Sequence, residues 1–256
     1  MNLFKVILLF FIYISPLKAN TIYNLIKIPN LEVYEIDTKN KLKYFYATKP
    51  FRLGVEKNII CLNTSKKNLD NKINKIKKNL NRYSVNFLKK INLKYIVLCE
   101  DLSISGINTA GIPDNIMKTL ILDINFNKTY FERTIHHEVF HIINDSFAKS
   151  FNEEKWKNFN NKRFNYAECS TCNGKVNLEL YKNTKGFFSE YSKTIPSEDM
   201  AEVFSFMMTL SPEQLNQIIK NDYILDRKTF FIRNRILKIE SNFRFPGAMK
   251  ATGEIF

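Results

Sequence analysis

Histidine is almost missing from this chain: three of 256 residues, all between His136 and His141. Any site that needs imidazoles is built there or nowhere. Glycine and proline are also sparse, seven of each, which excludes collagen-like and low-complexity classes. The hydrophobic share of 45% is too high for a disordered chain, so a folded globular protein is expected. No segment recurs at a fixed period, which excludes solenoids and propellers. Past the N-terminus, no apolar run approaches the length of a membrane span. Acidic residues are outnumbered, 25 against 39 Lys and Arg, giving a formal charge of +14. The lysines are dispersed among Asn and Ile, without the Arg–aromatic clusters of nucleic-acid readers, so no nucleic-acid partner is expected.

The first nineteen residues read as a secretory signal peptide. Lys5 supplies a positive start, Val6 to Ile14 a short apolar core, and Pro16-Leu17-Lys18-Ala19 ends on a small residue, which predicts cleavage after Ala19. An uncleaved amphiphilic anchor is the alternative. Removing Lys5 and Lys18 with the leader leaves +12. The expectation is an exported protein, periplasmic or secreted, whose residues 20–256 form one domain with no stable membrane span. Four cysteines in an exported chain favour disulfides. Cys61 and Cys99 each end a strand-like apolar run, and Cys169 and Cys172 form a C-x-x-C in a polar loop, so pairing within those two sets is expected. A four-thiolate zinc site would need strand and loop cysteines to converge. A redox-active C-x-x-C would need a following helix to lower a thiol pKa.

Periodicity supplies the elements. Residues 51–62 read as a strand. Lys66 to Ile91 reads as mainly helical, with Leu69, Ile73, Ile76 and Leu80 forming one apolar stripe. Residues 94–100 and 116–124 read as strands, and the glycine-bearing stretch 103–115 as turns. Thr129-Tyr130-Phe131-Glu132 resembles a capping box that would open the next helix. In that helix Phe131, Ile135, Val139 and Ile142 repeat at helical spacing. The stretch 150–189 is polar and irregular, and helices follow at about 197–210, 212–219 and 226–239. The predicted fold class is α+β, a small mixed sheet with a mainly helical C-terminal part.

The histidines lie in His136-His137-Glu138-Val139-Phe140-His141, which contains H-E-x-x-H. On a helix, residues i and i+4 share a face one turn apart, so His137 and His141 can grip one ion. Glu138 is then placed to act on water beside that ion. His136 falls off that face and reads as structural. Asp123 and Asp145 read as ordinary turn or edge acids.

A catalytic zinc ion normally takes three protein ligands and keeps a fourth position for water. With no further histidine, the third ligand is sought among carboxylates, with a cysteine thiolate as the other choice. A third histidine six residues after His141 is excluded, because that residue is Phe147. Glu198 and Glu202, in Glu198-Asp199-Met200-Ala201-Glu202, are also i and i+4 at the start of an apolar-periodic helix. One can bind the metal while the other hydrogen-bonds a ligating imidazole, and spacing alone leaves open which does which.

Together, His137-Glu138-Val139-Phe140-His141, Tyr191 and Glu198-Asp199-Met200-Ala201-Glu202 resemble gluzincin metallopeptidases, and more closely the catalytic domain of the anthrax lethal factor type. The resemblance covers about residues 51–210 and implies a zincin-like fold. It implies one Zn²⁺ held by His137, His141 and Glu198, with Glu138 as general base. It also implies Glu202 behind a ligating imidazole and Tyr191 as a phenol facing the oxyanion. The expected activity is hydrolysis of protein or peptide substrates, with the strand at 116–124 as the cleft edge that binds substrate backbone. A hydrolase of cell-envelope peptides or amides is the second reading. An inactive, metallopeptidase-like binding module is the third, and the intact Glu138 argues against it.

Overall fold

The computed structural model describes residues 28, 30–171, 178 and 185–246. The signal-peptide reading of residues 1–19 lies outside the described residues. Eight strands and eight α-helices alternate unevenly along the rest. The strands are β1 (Leu31–Ile36), β2 (Lys43–Ala47), β3 (Phe51–Leu53), β4 (Ile59–Leu62), β5 (Tyr95–Ile104), β6 (Ile107–Asn108), β7 (Gly111–Asp114) and β8 (Thr119–Asp123). The helices are α1 (Lys66–Asp70), α2 (Ile73–Leu80), α3 (Val85–Lys90), α4 (Phe131–Ser146), α5 (Glu153–Lys157), α6 (Pro196–Thr209), α7 (Pro212–Ile219) and α8 (Tyr223–Ile239).

The sheet is mixed and centres on β5. Its first half pairs in parallel with β2 on one side and β8 on the other, and its second half pairs antiparallel with β4 and β6. Alternation along β5 serves two cores. Ile96 and Leu98 face the helices together with Leu120 and Leu122, while Tyr95, Val97 and Cys99 face a smaller cluster with Phe51, Cys61 and Ile121. Within that smaller cluster a disulfide joins Cys61 to Cys99.

Several sequence expectations need correction. Residues 51–62 are a hairpin, β3 and β4, not one strand, because the chain turns at Gly54 with φ +80°, a conformation side chains disfavour. The helical stretch 66–91 is three short helices; Ser65 and Ser84 cap the first and third by accepting from Asn68 N and Phe87 N. Its predicted stripe is nonetheless buried. The capping box at Thr129 does not form. Helix α4 starts after Tyr130 without a side-chain cap, and the Glu132 carboxylate instead accepts from Asn79 Nδ2 at 3.1 Å.

The most consequential correction concerns the cleft edge. Strand β8 is paired on both sides, parallel to β5 and antiparallel to β7, so it has no free ladder. Among the described residues the edge beside the site is β7, in a stretch that its glycines and Pro113 made look like turns. Edge position explains the tolerance for Pro113, which cannot donate to a neighbour.

Candidate metal centre

Helix α4 carries the histidine run, and its burial explains the local sequence. Ile135, Val139, Ile142 and Ile143 pack into the main core, which leaves His137, Glu138 and His141 facing a cleft of about 500 Å³. Helix α6 packs against α4 and brings Glu198 and Glu202 to the same place. Pro196 opens α6, at a position where a missing N–H costs nothing.

Three donor atoms converge. Glu198 Oε2 lies 2.9 Å from His137 Nε2 and 3.2 Å from His141 Nε2, and the two imidazole nitrogens are 3.1 Å apart. These residues could hold one metal ion. Two imidazole nitrogens facing each other beside a carboxylate oxygen share lone pairs that a cation would satisfy, and an N,N,O donor set suits zinc. Glu202 occupies the other side of His137: its Oε1 is 2.9 Å from Nδ1. Glu202 in turn accepts from Ser189 Oγ at 2.5 Å and faces the Arg133 guanidinium at 3.9 Å. The spacing left open which glutamate does which, and the fold separates them by placing each against a different nitrogen of the same ring.

Charge follows this geometry. Burial opposes protonation of His137, but hydrogen bonds and proximity to Glu198 and Glu202 override it and raise the imidazole pKa to about 10. Burial likewise disfavours the Glu198 carboxylate, yet His141 and His137 pull its pKa far below the ordinary value. Glu138 lacks such a partner. Burial is its largest influence, and its pKa is pushed up to about 7 despite the neighbouring histidines. Tyr191 lies in the turn Tyr191–Lys193, with its ring centroid 5.8 Å from that of His137, and it lines the same cleft. Burial and the nearby carboxylates raise its phenol pKa.

His136 points away, as helical spacing predicts. It is buried, with Nδ1 2.6 Å from Tyr83 Oη and Nε2 3.0 Å from Asn79 Oδ1. Asp123 is a turn acid, accepting from the backbone N–H groups of Asp101, Leu102 and Asn125. Asp145, expected to be similar, instead lines the cleft. Cys169 is disulfide-bonded, and Cys172 lies outside the described residues. Ser170 and Thr171, next to Cys169, form part of the cleft wall.

Sequence reasoning missed two supports of the site. Gly111 on β7 faces Glu138 so closely that a Cβ there would lie 2.8 Å from Glu138 Cγ and 2.9 Å from Ile121 O. Its signal was misread as a turn. The other is a buried strut at Asp199, beside Glu198. Asp199 Oδ2 accepts from Trp156 Nε1 at 2.8 Å, Tyr166 Oη at 2.6 Å and Lys228 Nζ at 2.6 Å. Asp199 and Lys228 are both 0% exposed, so the strut ties the first turn of α6 to α5 and α8 away from water. No local pattern announces it, because its members are spread over more than seventy residues.

Comparison with known proteins adds family membership. No curated protein matches the chain. One solved structure, described as a "putative zinc-binding metallo-peptidase" from Bacteroides caccae ATCC 43185, is 20% identical, covers 70% of this chain and 72% of its own, and aligns with a TM-score of 0.46. The family described as "Putative zinc-binding metallo-peptidase" matches residues 74–242, well over half of the chain and all of the converging donor atoms, and the chain belongs to that family.

Proposed function

We propose that the protein is an exported zinc-dependent endopeptidase of zincin type, released by cleavage after Ala19. The convergence of His137 Nε2, His141 Nε2 and Glu198 Oε2 beside the Glu138 carboxyl group carries this reading. In it, His137, His141 and Glu198 hold one zinc ion. When bound, that ion supplies Lewis acidity that acidifies water and polarises a carbonyl. The lethal factor-type arrangement is supported by the order of the two motifs and by Tyr191 between them.

The chain's own groups divide the remaining work. Glu138 takes a proton from water as the oxygen bonds to the peptide carbon, then returns it to the nitrogen as the C–N bond breaks. Its burial suits both steps, since desolvation raises the carboxyl group's affinity for the proton it takes and returns. Glu202 accepts from His137 Nδ1, which fixes the ring's orientation and leaves Nε2 for the metal. The Tyr191 phenol donates to the carbonyl oxygen as that atom gains charge. The free side of β7 receives substrate backbone as an added strand.

Purified protein should carry about one zinc per chain by elemental analysis. Glu138→Gln should keep that zinc while peptide hydrolysis falls by about 10²–10⁴-fold. Wild-type protein prepared without chelator and found metal-free would sink the reading.

A further inference from the structure

The described wall of the cleft differs in composition from the chain as a whole. The chain has a formal charge of +14, yet no Lys or Arg is among the described residues that line the cleft. Among the described residues its ionisable lining comprises His137, His141, Tyr191 and the three acids Glu138, Asp145 and Glu198. Two of those acids already have work: Glu198 is paired with both histidines, and Glu138 sits beneath Gly111. Asp145 is the remaining one.

Asp145 is exposed, and among the described residues its side chain has no hydrogen bond or ion pair. It lies four residues after His141 on α4, hence on the same face, about 6 Å further along the helix axis. It also stands in the last turn of that helix, where the backbone dipole disfavours a negative charge. The helix therefore gains nothing from an acid here. Asp123 shows the contrast, being satisfied by three backbone N–H groups. Along an extended peptide, about 6 Å is roughly two residues. A carboxylate at that offset meets the side chain of a residue close to the bond being cut.

We infer that Asp145 is a specificity residue that selects peptides with a lysine or arginine side chain next to the scissile bond. The inference rests on the peptidase reading of the cleft. An unpaired carboxylate, backed by a helix C-terminus and with no lysine or arginine among the described lining residues, attracts a cationic side chain and repels an anionic one. By the same argument, strongly anionic polymers are poor occupants of this cleft despite the basic chain as a whole.

The test uses zinc-loaded Glu138→Gln protein, which retains bound peptide. Fluorescent peptides would be identical except for Lys, norleucine or Glu at each position flanking the presumed scissile bond. Their affinities would be measured at low ionic strength, where partly exposed charges are least screened. At one flanking position Lys should bind on the order of tenfold more tightly than Glu, the scale of a partly exposed ion pair gained and a repulsion avoided. Adding Asp145→Asn should bring the ratio close to one, and adding Asp145→Lys should reverse it. A Lys-to-Glu ratio unchanged across all three proteins would overturn the inference, and so would the absence of any preference at every position. A parallel cleavage assay with the same peptides on wild type separates the two readings. If zinc-loaded wild type cuts none of them while the binding ratio still follows residue 145, the peptidase reading fails and the charge selection stands.

Discussion

His136 and His137 are adjacent on one helix and both buried, yet their surroundings push them in opposite directions. His136 has a phenol and an amide for partners, neither of them charged. Burial therefore dominates and lowers its pKa to about 3, with Arg82 adding to the effect. His137 meets the same burial but has a carboxylate at each ring nitrogen, and its pKa rises to about 10. Burial alone does not say whether a histidine is structural or functional. The charge of its partners does, and those partners come from distant parts of the chain: α2 and its following turn for one, α6 for the other.

If this contrast is right, changes on the two sides should fail differently. The largest effect belongs to the α6 carboxylates. Glu198→Ala should weaken zinc binding by well over the roughly 10–100-fold expected for Glu202→Ala, which removes only a support behind the ring. Competition with a calibrated chelator would measure both, and the reverse order would exchange the roles of the two glutamates.

On the other side, His136→Phe should leave the zinc content intact but cost about 2–4 kcal/mol of stability, because Tyr83 Oη and Asn79 Oδ1 lose a buried partner. Urea unfolding would read this. The pH dependence has a definite sign. A histidine whose folded pKa lies below its unfolded value stabilises fully above about 6.5, and that contribution is lost as pH falls towards about 3. The gap between wild type and His136→Phe should therefore narrow as pH falls below about 6.5, at a slope of no more than about 1.4 kcal/mol per pH unit. A gap that stays constant with pH would contradict a neutral His136.

The smallest effect is expected at Gly111. A methyl group there must displace Glu138, since it would lie 2.8 Å from Cγ. Gly111→Ala should lower kcat/KM about tenfold with zinc retained, a modest form of the loss expected from misplacing a catalytic group. Unchanged turnover would mean that Glu138 has room to move. Lost zinc would mean that β7 supports the ligands as well.

Much of the site was legible because its parts are local. The spacing of His137 and His141, and of Glu198 and Glu202, is helical geometry that any amphipathic helix imposes. The apolar positions of α4 predicted residues that are buried. Legibility failed where pairing partners decide the structure. Gly111–Asp114 has a glycine and a proline in four residues, and only its ladder with β8 makes it a strand. Residues 51–62 alternate like one strand, and only the turn at Gly54 divides them. Asp123 and Asp145 look alike in sequence, but one meets three backbone N–H groups and the other meets open cleft.

The sequence by itself determined where a metal could bind. Scarcity of histidine confined the imidazoles to one helical turn, and the i, i+4 rule put two of them on one face. Tertiary structure decided the rest. Among the described residues it placed Glu198 rather than Glu202 at the shared point, made β7 the edge strand, and left Asp145 unpaired at the cleft. The reason is physical: helical periodicity acts over a few residues, whereas the sequence separation of 57 between His141 and Glu198 is bridged by the packing of α6 on α4.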